Sequence, residues 1–143
     1  MFETVTKKLL NKYGLKTFAK GEKGYVDVYE GDSFKRDSIY HQGTTWPWLL
    51  GLYYNTLENR IKFGKNKTKK KELEEEKRKF KEDVRKVFVN ELYDRGTIGT
   101  IAEIYDSKVP NLPKGAIAQA WSVAEIFRII KDYFEGWNKE CEY

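Results

Sequence analysis

The 143-residue chain contains one cysteine, one histidine and one methionine. A single cysteine excludes a disulfide framework within the chain, so a reducing, cytoplasmic environment is expected. A single histidine excludes a metal site built from two imidazoles, and we expect neither a metal nor a cofactor. Long apolar runs are also missing. No stretch approaches the ~18 apolar residues that a membrane-spanning helix needs, and no leader peptide is expected.

Charge of either sign is plentiful but unevenly distributed. The formal net charge is +5, yet residues 60–86 alone carry 13 Lys and Arg against 6 Asp and Glu. A basic run of this kind can bind nucleic acid. It lacks zinc-ligand spacing, a glycine-rich RNA motif and interleaved aromatics, and its mixed signs favour a solvated helix face, so nucleic acid is not an expected partner. Abundant Lys and Glu with few thermolabile residues are typical of hyperthermophile proteins.

Hydrophobic periodicity predicts an all-α fold of about four helices. The predicted helices span 3–12, 46–62, 70–94 and 115–136, and two long loops, 14–44 and 96–115, separate them. Loops of this length in one compact domain are usually functional. The last helix is apolar almost all round in its first half, which predicts cover from several neighbours or from another chain.

The residues with the clearest chemical potential lie on those two loops. Three aromatic rings and the only histidine fall between Tyr40 and Trp48. Flat rings of this kind bind sugars, although they also serve as core residues. Glu103, among apolar neighbours, is the best candidate for a catalytic carboxylate, although a loop glutamate is usually a surface residue. Hydrolysis of a glycoside by carboxylates needs two of them. Asp106 is as well explained as a group that stabilises the loop.

Three segments together carry a family resemblance. They are Tyr-His-x-Gly-Thr-x-Trp-Pro-Trp at 40–48, the stretch from 98 to 106, and Ala-Gln-Ala-Trp-Ser-Val-Ala-Glu at 118–125. With shorter matches nearer the start, they resemble the C-terminal part of archaeal and bacterial-type glycogen debranching enzymes, the amylo-α-1,6-glucosidase domain. The resemblance covers nearly the whole chain except residues 60–95. It implies that residues 1–143 form part of an (α/α)6 toroid that hydrolyses α-1,6 branch linkages with inversion.

The resemblance also implies roles for individual residues. Glu103 would be the general base. The general acid, an Asp in this family, would belong to an upstream segment, which implies a companion N-terminal chain. Substrate-binding positions are expected near the aromatic run and at the start of the last helix: Tyr40, His41, Gln42, Thr44, Trp46, Trp48, Gln119 and Trp121.

Two departures from the family pattern affect expected substrate contacts. Lys16 stands where the family usually has Arg, and Ser107-Lys108 stands where Gly-Asp is usual. Neither removes a presumed catalytic group. The expected partners are glycogen or another branched α-glucan, together with a companion chain or a second copy. The alternative is a non-catalytic, carbohydrate-binding or self-associating remnant of the family.

Overall fold

The computed structural model describes residues 1–96 and 98–134. Over this range the chain forms five α-helices and a small antiparallel sheet. In chain order the elements are α1 (Phe2–Lys8), β1 (Leu10–Asn11), β2 (Gly14–Lys16), α2 (Ser33–Ile39), β3 (Thr45–Trp46), α3 (Leu49–Phe63), α4 (Lys67–Asp94), β4 (Ile104–Tyr105), β5 (Pro113–Lys114), α5 (Ala120–Ile130) and a 3-10 turn, Lys131–Tyr133.

The prediction of an all-α fold, part of an (α/α)6 toroid with about four helices, is wrong. The described residues form five helices, and five strands pair in the order β1-β2-β3-β4-β5. All neighbours are antiparallel, and Thr45 lies opposite Tyr105 in the centre of the sheet. Strands of two or three residues are too short to produce the apolar-polar alternation by which strands are recognised in a sequence. The sheet matters for the site, because β3 lies within the aromatic run and β4 follows Glu103 directly.

The core lies where α3, α4 and α5 pack together. Leu50, Phe88 and Ile129 are almost completely buried at this junction. The predicted apolar stripe of α3 is largely confirmed, since Tyr53 and Leu57 are buried with Leu50. Removing such side chains from water is worth about 1.5–3 kcal/mol each. The helical layer therefore supplies a firm support for the sheet and its loops.

A buried polar network ties α4 to the sheet. The Tyr105 hydroxyl donates a hydrogen bond to Glu91 Oε1 at 2.8 Å, and Glu91 is itself buried. Arg95 Nε lies 3.8 Å from the other carboxylate oxygen of Glu91. Burial and the adjacent carboxylate raise the pKa of Tyr105, so the phenol stays protonated and remains a donor. This network fixes β4, the strand that follows Glu103.

Several predicted helix boundaries differ from the structure. The last helix begins at Ala120 and not at 115, because the preceding residues pair with the chain around Glu103. The Glu103 amide donates to the Ala116 carbonyl at 2.9 Å, and the Gln119 amide donates to the Ile101 carbonyl at 3.0 Å. These bonds outweigh the helix propensity of the alanines. The predicted helix end at 136 and Cys141 lie outside the described residues.

The end of the first helix and the first long loop also contain elements that the sequence pattern did not indicate. The first helix ends at Lys8 and leads into β1, and α2 forms within the predicted loop 14–44. Asp32 caps α2 by accepting a hydrogen bond from the Lys35 amide at 2.8 Å. Across the part of the chain that the structure describes, no helix is long and apolar enough to span a membrane.

Candidate functional site

Glu103 is held by two hydrogen bonds from the segment that follows β5. The Ala116 amide donates to Oε2 at 3.1 Å, and the Gln119 side-chain amide donates to Oε1 at 3.3 Å. The residue is half-buried. Each carboxylate oxygen thus has a fixed donor, and a group held in this way is oriented for reaction.

Gly115 allows this segment to approach Glu103 so closely. Its φ of +69° lies in the left-handed region that side chains rarely adopt. A Cβ atom built there would lie only 2.5 Å from Glu103 Oε2 and 3.1 Å from a side-chain carbon of Ile104. The position therefore needs glycine for its conformation and for its space.

Tyr40 is a second side chain, after that of Gln119, that lies beside the Glu103 carboxylate. Burial, and then the nearby Glu103 carboxylate, raise the pKa of Tyr40. The hydroxyl therefore stays protonated at neutral pH and is available as a donor to that carboxylate. Tyr40 and Gln119 were both predicted as substrate-binding positions. The structure brings them together at Glu103, although they are 79 positions apart in the sequence.

The aromatic residues form one continuous ring cluster beside Glu103. The rings of Tyr40 and Trp46 lie 5.0 Å apart, and His41 stacks on Trp46 at 5.2 Å with 13° between the planes. Trp121 meets Trp46 edge-on at 6.2 Å and stacks on Trp48 at 5.5 Å. All the aromatic residues that the sequence singled out are brought together.

These rings differ in what they can offer to a ligand. Trp46 is only 4% exposed, whereas Trp121 is 45% exposed and His41 lies at the surface. Trp46 therefore forms the base of the cluster. Thr44, also buried, accepts a hydrogen bond from Trp46 Nε1 at 3.0 Å and fixes the orientation of the indole. The accessible ring area belongs to His41, Trp48 and Trp121.

Gln42 is placed beside the cluster but joins it through its backbone. Its carbonyl accepts a hydrogen bond from the Val26 amide at 2.7 Å. Within the described residues, its side chain makes no hydrogen bond to Glu103 or to the aromatic cluster. A substrate contact by the Gln42 side chain stays a prediction.

Two further residues shape the site: Tyr29, which the sequence pattern did not single out, and Asp106, for which it offered a loop-stabilising role. Tyr29 packs against Tyr40 with 5.6 Å between ring centroids, and its amide donates to Asp106 Oδ1 at 2.7 Å. Burial raises the pKa of Asp106, while the Tyr29 amide and the nearby Lys114 oppose that rise. Asp106 is therefore an anchor for the loop that carries Tyr29. The unpatterned sequence around Tyr29 held no signal for this pairing.

Ser107, one of the departures from the family pattern, links the two loops. Its hydroxyl donates to the Gly43 carbonyl and lies 2.8 Å from the Thr45 hydroxyl. Thr45 in turn accepts a hydrogen bond from the Asn11 side chain at 2.6 Å. The departure therefore has a structural role in joining the strand of the aromatic run to the strand after Glu103.

The arrangement contains one oriented carboxylate and no second one that is free to react beside it among the described residues. A fixed carboxylate lies beside accessible aromatic rings, whereas the neighbouring carboxylate of Asp106 is buried and engaged by Tyr29. Four clefts of about 300 to 550 Å³ lie elsewhere on the described surface, and none of these four is lined by Glu103 or by the aromatic cluster. The Glu103 surface is therefore not one of these clefts.

A comparison with models of protein families identifies the family of this chain. The model of the amylo-alpha-1,6-glucosidase family matches residues 1–128. The chain belongs to the amylo-alpha-1,6-glucosidase family. The matched range includes Glu103 and every residue of the aromatic cluster, so the predicted family is confirmed. No curated protein matches the sequence at a significant level.

Proposed function

We propose that this amylo-alpha-1,6-glucosidase family chain is the C-terminal part of a debranching glucosidase domain, with Glu103 as the general base. The observation that carries the proposal is the fixed Glu103 carboxylate beside the accessible rings of Trp48 and Trp121. Donors from Ala116 and Gln119 orient the carboxylate, and the rings offer flat apolar area to a glucose residue.

The proposed reaction inverts the configuration of the anomeric carbon. Glu103 removes a proton from a water molecule as its oxygen attacks that carbon. The bond to O6 of the main chain breaks, and a general acid protonates the departing oxygen. In inverting enzymes the two carboxyl groups lie about 6.5–9.5 Å apart, which leaves room for the water. Glucose is released, and the branch point is removed.

The general acid is assigned to a companion polypeptide. Asp106 does not fit that role, because it is buried and accepts a hydrogen bond from the Tyr29 amide. Large apolar side chains that stay exposed on and around α5 support a companion. These side chains, called the α5 face, are 45–65% exposed: Leu52, Ile117, Trp121 and Phe127. Surfaces of this kind mark protein interfaces. A companion that covers the α5 face would also bring its acid close to Glu103.

The test is reconstitution of activity with the companion chain that carries the acid. Glucose release from a branched limit dextrin is expected for the mixture and not for either chain alone. Glu103→Gln should lower the rate by at least about 100-fold, the lower range of what a general base contributes. The matched control is Glu74→Gln on the exposed side of α4, which should leave the rate unchanged. Full activity of the Glu103 variant would remove the assignment.

A second candidate function rests on the same α5 face. A non-catalytic, glucan-binding remnant would cover its exposed Ile117 and Phe127 by self-association. Sedimentation at micromolar concentration separates the two functions. A homo-oligomer that binds glucan without hydrolysing it, with or without added companion, would favour the remnant. Association with the companion that restores hydrolysis would favour the enzyme.

A further inference from the structure

The segment from 60 to 71 carries a dense, unbalanced positive charge. It contains seven Lys and Arg and no Asp or Glu. The structure folds it into the end of α3, the turn that follows, and the start of α4. Since α3 has 15 residues and rises by about 1.5 Å per residue, the segment lies roughly 20 Å from the Trp48 end of that helix. The charge is therefore remote from Glu103.

Ion pairing divides the long basic stretch into two parts. Farther along α4, cations meet carboxylates at close range, as in Arg78 with Glu75 at 2.6 Å and Arg85 with Glu82 at 2.8 Å. Of the ion pairs recorded in the described part of the chain, none involves a Lys or Arg from 60–71. The mixed signs that favour a solvated face therefore describe only the second part.

Four of these cations converge on a cleft of about 500 Å³. Arg60 comes from α3, Lys65 from the turn, and Lys69 and Lys70 from α4. The cleft also contains Phe63, whose side chain is 69% exposed. Its volume lies within the ~300–1,000 Å³ that small-molecule sites occupy. A site of this size with four positive charges suits a compact anion with an organic part.

We propose that this cleft, the α3–α4 cleft, binds a phosphorylated sugar. Lysine ammonium groups bind phosphate as point charges, and the N–H groups of Arg60 add directional donors. Lys62 Nζ lies over the Phe63 ring at 5.1 Å, and the exposed remainder of the ring can pack against a sugar ring, as aromatic side chains do. Thr56 and Asn59, which also line the cleft, offer a hydroxyl and an amide to sugar hydroxyls.

The fixed position of the Arg60 side chain favours a preformed site. Its guanidinium lies over the Phe2 ring at 4.4 Å, and this contact holds the side chain in place at the cleft. A free hexose phosphate and a phosphate ester carried by a glucan share the required chemistry. The inference stands apart from the proposed glucosidase function, because it uses none of the residues around Glu103.

Calorimetric titration of the full chain tests the proposal, with glucose 6-phosphate, glucose and inorganic phosphate as separate probes. Glucose 6-phosphate should bind saturably and more tightly than either fragment. The test variant removes three cleft charges: Lys65→Gln, Lys69→Gln and Lys70→Gln. The matched control removes three charges from exposed positions elsewhere: Lys20→Gln, Lys23→Gln and Lys108→Gln. The test variant should weaken binding by about tenfold, since it removes three of the four cations that line the cleft, while the control should change it less than about twofold.

Two further titrations test the sugar contact and the source of the phosphate. Phe63→Ser should lower the affinity for glucose 6-phosphate but not for inorganic phosphate. A phosphorylated maltodextrin, compared with its unphosphorylated form, distinguishes a glucan-borne ester from a free sugar phosphate, and binding of either phosphorylated probe supports the proposal. Equal losses in the test and control triples would overturn it. So would equal affinities for glucose 6-phosphate and phosphate, or tighter binding of an RNA oligonucleotide, which would indicate a general polyanion surface.

Discussion

The rings of Trp48 and Trp121 stack on each other with 5.5 Å between their centroids and 23° between their planes. Trp48 directly precedes α3, and Trp121 lies in the first turn of α5. The pair therefore joins the two helices at the same end as Glu103. Because Trp121 remains 45% exposed, the pair can support the fold and still offer ring area to a ligand.

The tryptophans of the cluster should separate into structural and binding residues. Trp46 is 4% exposed, so Trp46→Ala should lower the free energy of unfolding by about 3–5 kcal/mol, the usual cost of truncating a buried Trp. Trp121→Ala should cost much less stability but weaken maltodextrin binding. Chemical denaturation and a binding titration on each variant check this. A large stability loss in Trp121→Ala with unchanged binding would contradict the division.

Gly115→Ala should damage the site more than the fold. The new Cβ would lie 2.5 Å from Glu103 Oε2 and would displace the carboxylate. If Glu103 is the proposed general base, glucose release by the reconstituted pair should fall by at least about tenfold, because small misplacements of a catalytic group have large effects on rate. Gly99→Ala is a matched control, since Gly99 also has a positive φ, +80°, but a Cβ atom built there would have nothing within 4 Å. Equal rates for both variants would refute this account of Gly115.

Gly51 should resist the substitution that normally strengthens a helix. It lies within α3, where Gly→Ala usually stabilises by up to about 1 kcal/mol. Here an added Cβ would lie 1.7 Å from Glu125 Oε2, where α3 meets α5. Glu125 must then turn away from Arg128, with which it forms an ion pair at 2.6 Å, so Gly51→Ala should lose the usual gain and destabilise the protein by at most about 1 kcal/mol. Thermal unfolding of Gly51→Ala, Glu125→Ala and the double variant forms a cycle, and the absence of coupling would contradict the clash.

How much of the fold was predictable depended on the length of each element. The apolar positions of α3 recur over four turns, and Leu50, Tyr53 and Leu57 are buried as that pattern indicates. The strands span two or three residues, so no periodic signal existed for them. The start of α5 was misplaced because Ala116 pairs with the chain at Glu103, a contact between residues 13 positions apart that local propensity cannot contain.

The candidate site also has parts that could be predicted from the sequence and parts that could not. The aromatic run and Glu103 stand out by residue type and by family resemblance, and the structure brings them together. A loop-stabilising role was one of the interpretations offered for Asp106. Its partner Tyr29 was not predictable, because the hydrogen bond between them joins residues 77 positions apart. The need for glycine at position 115 follows from the closeness of the Glu103 side chain, which the sequence does not show. Such roles arise from tertiary contacts, and no local pattern encodes them.

Asp106 should make stability depend on pH in the direction opposite to most carboxylates. Burial raises the pKa of Asp106 above its ordinary value of 3.8. The folded state then binds the proton more tightly than the unfolded state, so this residue's contribution falls as pH rises from 3.8 through the folded pKa. Asp106→Asn keeps an acceptor for the Tyr29 amide and removes the titration. Its free energy of unfolding should therefore increase relative to the wild type across that window.

Asp132 supplies a control of opposite sign for this prediction. Its hydrogen bond with Lys81 lowers the pKa of Asp132 below 3.8. The stabilisation from this pair is present above the unfolded pKa and is lost as pH falls through the folded pKa. Asp132→Asn should thus lose stability relative to the wild type as pH rises, whereas Asp106→Asn should gain. Urea unfolding of the three proteins between about pH 3 and pH 7 measures both slopes. A flat or falling difference for Asp106→Asn would mean that Tyr29 and Lys114 outweigh burial at the anchor of the loop that carries Tyr29.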